Sequence, residues 1–320
     1  LKLDAAFVDF GKMTAAIDAA VLDTVGGDVD FAGTATIEVV SEVDGRTYKT
    51  PALNLTLAFR EKLTPATTRV QSTGVIFVNE QIVVEGDDFL LGGNEGKSVA
   101  RLTGCFQVGG TGPCDPIPAV ELPMVNTVPL SRRTATFAFS PKVAGIEAGQ
   151  FVGQVEVINK LSSGEEKADP VDLSFDLVES QVFRVAPTAV SLGQYVNIEG
   201  GGFVGGEAGA STELELRGMF MRSTGEEAPV VMTLIPEFVA GKTVRYVVNT
   251  DDVLGMAIDL RKETGMFTGT IQPTTIFRGK TVVGRTTPVT LSIEPIRQVV
   301  FLDFRPDYVE GLRDFGMRAV

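Results

Sequence analysis

The feature that most constrains this chain is self-similarity at a spacing a little under 120 residues. PALNLTLAF begins at Pro51, PVDLSFDL at Pro170 and PVTLSIEP at Pro288, 119 and then 118 residues apart. Each is a proline followed by alternating apolar and polar positions, the period of a half-buried strand. Proline is accepted at the start of a strand, where its missing N–H breaks no ladder bond. A second shared segment precedes each: FAGTATIEV from Phe31, FVGQVEVIN from Phe151 and FTGTIQPTT from Phe267. Polar links such as SEVDGRTYKT and KLSSGEEKAD separate the two segments, so each pair reads as a hairpin.

The other half of the repeat is written twice. Gly86-x-x-Phe89 returns as Gly200-x-x-Phe203, 114 residues on, and LTGCF from Leu102 returns as LRGMF from Leu216. TATFAF from Thr134 and TVRYVV from Thr243 follow as alternating strands, and AAFVDF from Ala5 fits that slot in the first unit. The division is then 1–61, the second half of a unit whose first half is missing or supplied by another chain; 62–181 and 182–297, two complete units; and 298–320, a tail. A unit of about 115 residues is the size of one β-sandwich. The expected fold is all-β, with β-sandwiches arranged end to end. Gly86, Phe89, Gly200 and Phe203 are expected in cores and turns, the phenylalanines after a turn that needs glycine freedom. Pro51, Pro170 and Pro288 mark strand starts. Residues Met13 to Val25 are expected to form a turn of helix, VVFLDF from Val299 a strand, and YVEGLRDFGMRAV a short helix weakened by Gly311 and Gly316.

The residue inventory excludes several chemistries. The chain has no His, which removes Ser-His-Asp and Cys-His sites and His-based zinc sites. A net charge of −13 opposes binding to nucleic acid or to anionic lipid. No apolar run reaches 18 residues, so no helical membrane span is expected. Cys105 and Cys114 lie in CFQVGGTGPC, whose glycines and Pro113 let the loop curl back; a local disulfide is the preferred reading and two reduced thiols the alternative. A disulfide implies an oxidising compartment.

Two motifs carry chemistry only on paper. Gly200-x-Gly202-x-x-Gly205 matches a dinucleotide fingerprint, but STELELRGMF follows as a strand where a helix is required, and the copy at Gly86 holds Asp87 and Asp88. Acidic pairs occur at Asp87-Asp88 (with Glu95), Glu165-Glu166, Glu226-Glu227 and Asp251-Asp252. None has the calcium-loop pattern, and adjacent strand residues face opposite ways. Solvated loop charge is the default reading and calcium at a domain junction the minority one. No catalytic, cofactor-binding or metal-binding residue is assigned. Scarce Tyr and absent Trp count against a sugar-stacking surface.

The stretch Pro187, Gly193, Val196, Ile198, Gly200 and Phe203 resembles the proline, glycine, alternating strand and G-x-x-F turn of IPT/TIG domains, which are immunoglobulin-like sandwiches. The unit from residue 62 is similar at Gly86 and Phe89, with its proline displaced to Pro65. The resemblance implies tandem modules of bacterial surface or secreted proteins, acting as spacers or binding platforms. The expected function is a non-catalytic, extracellular structural or adhesive protein, as in a filament subunit. The alternative is an accessory segment of a secreted enzyme such as a hydrolase. Expected partners are proteins or further copies of the chain, joined head to tail by strand donation.

Overall fold

The computed structural model describes residues 2–9, 12–15, 17–26, 29–41, 43–60, 62–71, 74–129, 131–248, 263–294, 302–305 and 316–319. The region 62–178 holds β7 (Ala66–Gln71), β8 (Val75–Phe77), β9 (Gln81–Asp87), β10 (Lys97–Val108), β11 (Asp115–Pro123), β12 (Val125–Asn126), β13 (Thr134–Ala138), the helical turn α2 (Pro141–Ala144), β14 (Gly149–Leu161), β15 (Gly164–Lys167) and β16 (Val171–Val178). One sheet runs β12-β13-β9-β7 and the other β11-β10-β14-β16-β8, with β15 also on β14. The period-two burial of β9 and β16 turns one face of each sheet inward. Phe89, Phe137, Phe139 and Phe151 fill the space between, all at most 1% exposed.

The region 181–293 repeats this plan. It contains β17 (Gln181–Ala186), β18 (Ala189–Val190), β19 (Tyr195–Gly201), β20 (Ala210–Arg222), β21 (Glu227–Leu234), β22 (Glu237–Ala240), β23 (Thr243–Val247), β24 (Gly265–Phe277), β25 (Lys280–Val283) and β26 (Thr287–Ile293). The sheets run β17-β19-β23-β22 and β18-β26-β24-β20-β21, with β25 on β24. Strand for strand this is the order of the preceding unit, including a parallel strand pair in each (β8 with β16, β18 with β26). Both units are immunoglobulin-like sandwiches.

The G-x-x-F turns are superimposable in their bonding. Phe89 N–H donates to Arg132 O at 3.0 Å and Phe203 N–H to Gly241 O at 3.1 Å. The physical reason for the glycine differs from the expected one. Neither Gly86 nor Gly200 has a positive φ. A Cβ on either would collide with a backbone oxygen and meet the following ring, 2.7 Å from Phe89 Cζ and 2.5 Å from Phe203 Cζ. The left-handed residue is two further on, Asp88 (φ 61°) in one unit and Gly202 (φ 77°) in the other.

The first 60 residues contain β1 (Ala5–Asp9), β2 (Lys12–Ala15), α1 (Ala19–Val25), β3 (Val29–Ala35), β4 (Glu38–Val40), β5 (Thr47–Lys49) and β6 (Leu53–Phe59). The helix expected over Met13 to Val25 is shorter: Lys12–Ala15 is a strand paired with β1, and α1 begins at Ala19. The hairpin register repeats across all three units: Phe31 faces Leu57, Phe151 faces Phe175 and Phe267 faces Leu291. In each the returning strand is broken, into β5 and β6, β15 and β16, or β25 and β26.

In the tail, β27 (Leu302–Arg305) pairs antiparallel with β28 (Gly316–Ala319). The expected helix is therefore replaced by a strand over 316–319, where Gly316 already disfavours helix; the rest of that expectation, at 306–315, lies outside the described residues.

Candidate interaction surfaces

The glycines that mimic a dinucleotide fingerprint serve a domain junction. Gly200 and Gly201 close β19, and the chain proceeds into β20 without a helix. A Cβ at Gly201 would lie 2.5 Å from Phe77 Cγ, so the Phe77 ring of the preceding unit lies directly on that backbone. Asn79 Nδ2 donates to Phe203 O at 2.9 Å, and a Cβ at Gly241 would strike Asn79. Phe77 also meets Phe183 edge to face, with centroids 5.6 Å apart. Val204 and Phe277, at 1% and 5% exposure, belong to the core of the preceding unit although they follow its last strand.

Ion pairs ring this apolar contact: Lys242 with Glu80 at 3.0 Å, Lys142 with Glu207 at 2.6 Å, and Lys280 with Glu147. Exposed pairs of this kind add little energy singly. Sequence reasoning missed Phe77, Asn79, Gly201 and Gly241. One signal was present: Gly201 and Gly202 stand where the other copy has Asp87 and Asp88, so the extra glycines are not demanded by the repeat itself.

At least one member of each acidic pair among the described residues forms an ordinary ion pair. Asp87 meets Arg133 at 3.3 Å and Glu95 meets Arg132. Glu165 meets Lys160 at 3.2 Å and Glu166 meets Lys62 at 3.3 Å. Glu226 and Glu263 meet Arg222 at 3.4 and 2.7 Å, and the bond to Glu263 raises the pKa of that guanidinium. Asp251-Asp252 lies outside the described residues. No cluster of three or more metal-ligating side chains occurs among the described residues. Glu121 bridges Lys160 at 2.6 Å and Arg101 at 2.8 Å; these bonds, Lys160 first, hold its carboxyl below the usual carboxylate range.

Cys105 and Cys114 form a disulfide, with Cα atoms 5.3 Å apart, at the end of the β10–β11 hairpin. The loop inside it carries left-handed Gly109, Gly110 and Gly112. Pro51 and Pro170 stand just before β6 and β16, and Pro288 is the second residue of β26. Ser98 and Asn159 form a buried polar pin: Ser98 Oγ donates to Asn159 Oδ1 at 2.7 Å, and Asn159 Nδ2 donates to Leu63 O and Asp88 O. This ties the entry segment at Leu63 to the unit it leads into.

The second surface is the face of β3 and β6. Phe31 and Leu57 are 40% and 43% exposed, whereas Phe151 and Phe175 are 0% and 3%, and Phe267 and Leu291 are 4% and 9%. The same hairpin thus buries its apolar face in two units and presents it in the first.

No known family matches the chain, and no curated protein matches it. Among solved structures it is similar to the FN1-FN3 domains of chicken CNTN1 (10% identity, 77% of this chain and 70% of that one, TM-score 0.20). It is also similar to SGBP-B from a complex xyloglucan utilization locus of Bacteroides uniformis (14% identity, TM-score 0.21). That match covers 77% of this chain and 52% of the other, so this chain spans about half its length. A third is the three N-terminal domains of the outer capsid protein Hoc of bacteriophage RB49 (11% identity, 89% and 83% covered, TM-score 0.20). The fold is shown by the strand order and register of the two sandwiches. Among the described residues no helix is long and apolar enough to cross a membrane.

Proposed function

We propose that this chain is a non-catalytic structural or adhesive protein of the bacterial cell surface or exterior, built from IPT/TIG-type modules that hold a fixed spacing. The observation that carries the reading is the junction: Phe77 on Gly201, the Asn79 bond to Phe203 O, and Val204 and Phe277 in the core of the preceding unit. A flexible linker needs none of these, whereas a stiff spacer needs a desolvated, shape-matched contact between modules. The disulfide supports an oxidising compartment.

Alkylation of native material without reductant, followed by intact-mass measurement, tests the location. Cys105 and Cys114 should remain unlabelled, and the protein should be found in the extracellular or surface fraction. Two labelled thiols in a cytoplasmic fraction would overturn the proposal.

A further inference from the structure

In the other two units the counterparts of β3 are covered on both edges. β14 lies between β16 and β10, and β24 between β26 and β20. β3 has β6 on one side, and no strand pairs with its other edge among the described residues.

The covering strand has a fixed signature. Leu102-x-Gly104-x-Phe106 places Gly104 opposite Gly153, and Leu216-x-Gly218-x-Phe220 places Gly218 opposite Gly269. The backbones approach so closely at these pairs that a Cβ at Gly153 would be 2.8 Å from Gly104 Cα, and one at Gly269 2.7 Å from Gly218 Cα. The ring two residues earlier folds over the same glycine, with Phe151 Cζ 2.9 Å and Phe267 Cζ 2.7 Å from the added carbon. β3 already has this arrangement: Phe31 Cζ lies 2.7 Å from a Cβ at Gly33. One half of a glycine–glycine strand pair is therefore built, with no partner strand on it among the described residues.

The geometry points to a docking site on β3 for one kind of occupant: an extended segment carrying Leu-x-Gly, added antiparallel with its glycine opposite Gly33. Its leucine would lie opposite Ala35, as Leu102 lies opposite Val155 and Leu216 opposite Ile271. Main-chain bonds along the edge give affinity, and the glycine fixes the register. One difference narrows the occupant. Gly149 and Gly265 receive the Phe106 and Phe220 rings, within 2.8 and 2.6 Å of an added carbon, whereas the corresponding residue of β3 is Val29. The segment that fits carries an aliphatic residue in place of that phenylalanine.

The test uses the full chain and a synthetic peptide of Ala210–Arg222 carrying Phe220→Val. Saturable binding is expected, with slowed amide hydrogen exchange over residues 29–35. Gly218→Val in the peptide, and separately Gly33→Val or Leu57→Ser in the chain, should each weaken binding at least tenfold. The two chain variants act on the edge and on the face, so a folding defect in one leaves the other as the test. Absence of binding would overturn the assignment, as would binding within twofold for the Gly218→Val peptide or for both chain variants. Self-association through this face that the peptide does not reverse would also overturn it.

Discussion

Asn79 and Phe203, 124 residues apart, are joined by a 2.9 Å hydrogen bond from the Asn79 amide to the Phe203 carbonyl. Asn79 has φ 62°, a left-handed conformation that Asn tolerates better than most residues. Its counterpart in the next unit, Gly193, has φ 83°. Asn79→Gly therefore keeps the backbone and deletes the bond. A loss of about 1 kcal/mol is expected, with the two sandwiches beginning to melt as separate transitions in calorimetry. A single unshifted transition would contradict the junction described.

Gly201→Leu should act more strongly, because the Phe77 ring occupies the space a side chain needs. The expected outcome is a broader distribution of interdomain distances in small-angle scattering, with near-native circular dichroism. An unchanged distance distribution would show that the contact does not hold the modules together.

Phe89 and Phe203 are wholly buried, whereas Phe31 is 40% exposed. Phe89→Ala or Phe203→Ala should destabilise its own sandwich by about 3–5 kcal/mol. Phe31→Ala should cost less than about 1 kcal/mol, in the range of surface substitutions. Denaturant unfolding of the three variants separates these outcomes, and equal losses at all three would refute the reading of the first unit as open.

Replacing Cys105 and Cys114 by serine should lower the stability of its unit by roughly 2.7 kcal/mol, from the entropy of a short closed loop. The 182–297 unit should be unaffected, since the disulfide lies outside its strands. Thermal unfolding with and without reductant gives the same comparison on the native sequence.

Glu121 supplies a pH dependence whose sign is fixed. Its folded pKa lies below the ordinary value of 4.5 because Lys160 and Arg101 bond the charged form. The stabilisation is complete above that ordinary value and is lost as pH falls through the depressed one. Glu121→Gln should flatten the decline of melting temperature as pH falls below the ordinary carboxylate value of 4.5. An identical slope in the variant would remove Glu121 from the account. The group is partly exposed, so the effect should also shrink in high salt.

Much of the fold was legible because the repeat fixes both period and register. The phenylalanines at 31, 151 and 267 locate the hairpins, and the structure pairs them with Leu57, Phe175 and Leu291; the prolines at 51, 170 and 288 lie near the strand starts but at different offsets from those partners, so they do not share one register. The junction was not legible, because Phe77, Asn79 and Gly241 act once and leave no periodic trace. Gly200 looked like a residue needed for backbone freedom; its role is to leave room for the Phe203 ring, a contact that spacing alone does not distinguish. Lys12–Ala15 carries no strand pattern longer than four residues, and it pairs only because β1 lies beside it.

The turn that supplies Phe77 and Asn79 has its counterpart at Ser191 and Gly193, closed in the same way, with Glu80 accepting from Phe77 N–H and Gln194 from Ser191 N–H. The loops share a shape and differ in what they offer a neighbour. The two sandwiches are consequently not interchangeable beads: transposing them would set a hydroxymethyl group and a bare backbone against Asp87 and Arg132, which stand where the other sandwich has the Gly201 and Gly241 that admit a benzyl ring and a carboxamide. Sequential order along the chain is thus written into the joints, and a shuffled array would assemble from sound parts that no longer lock.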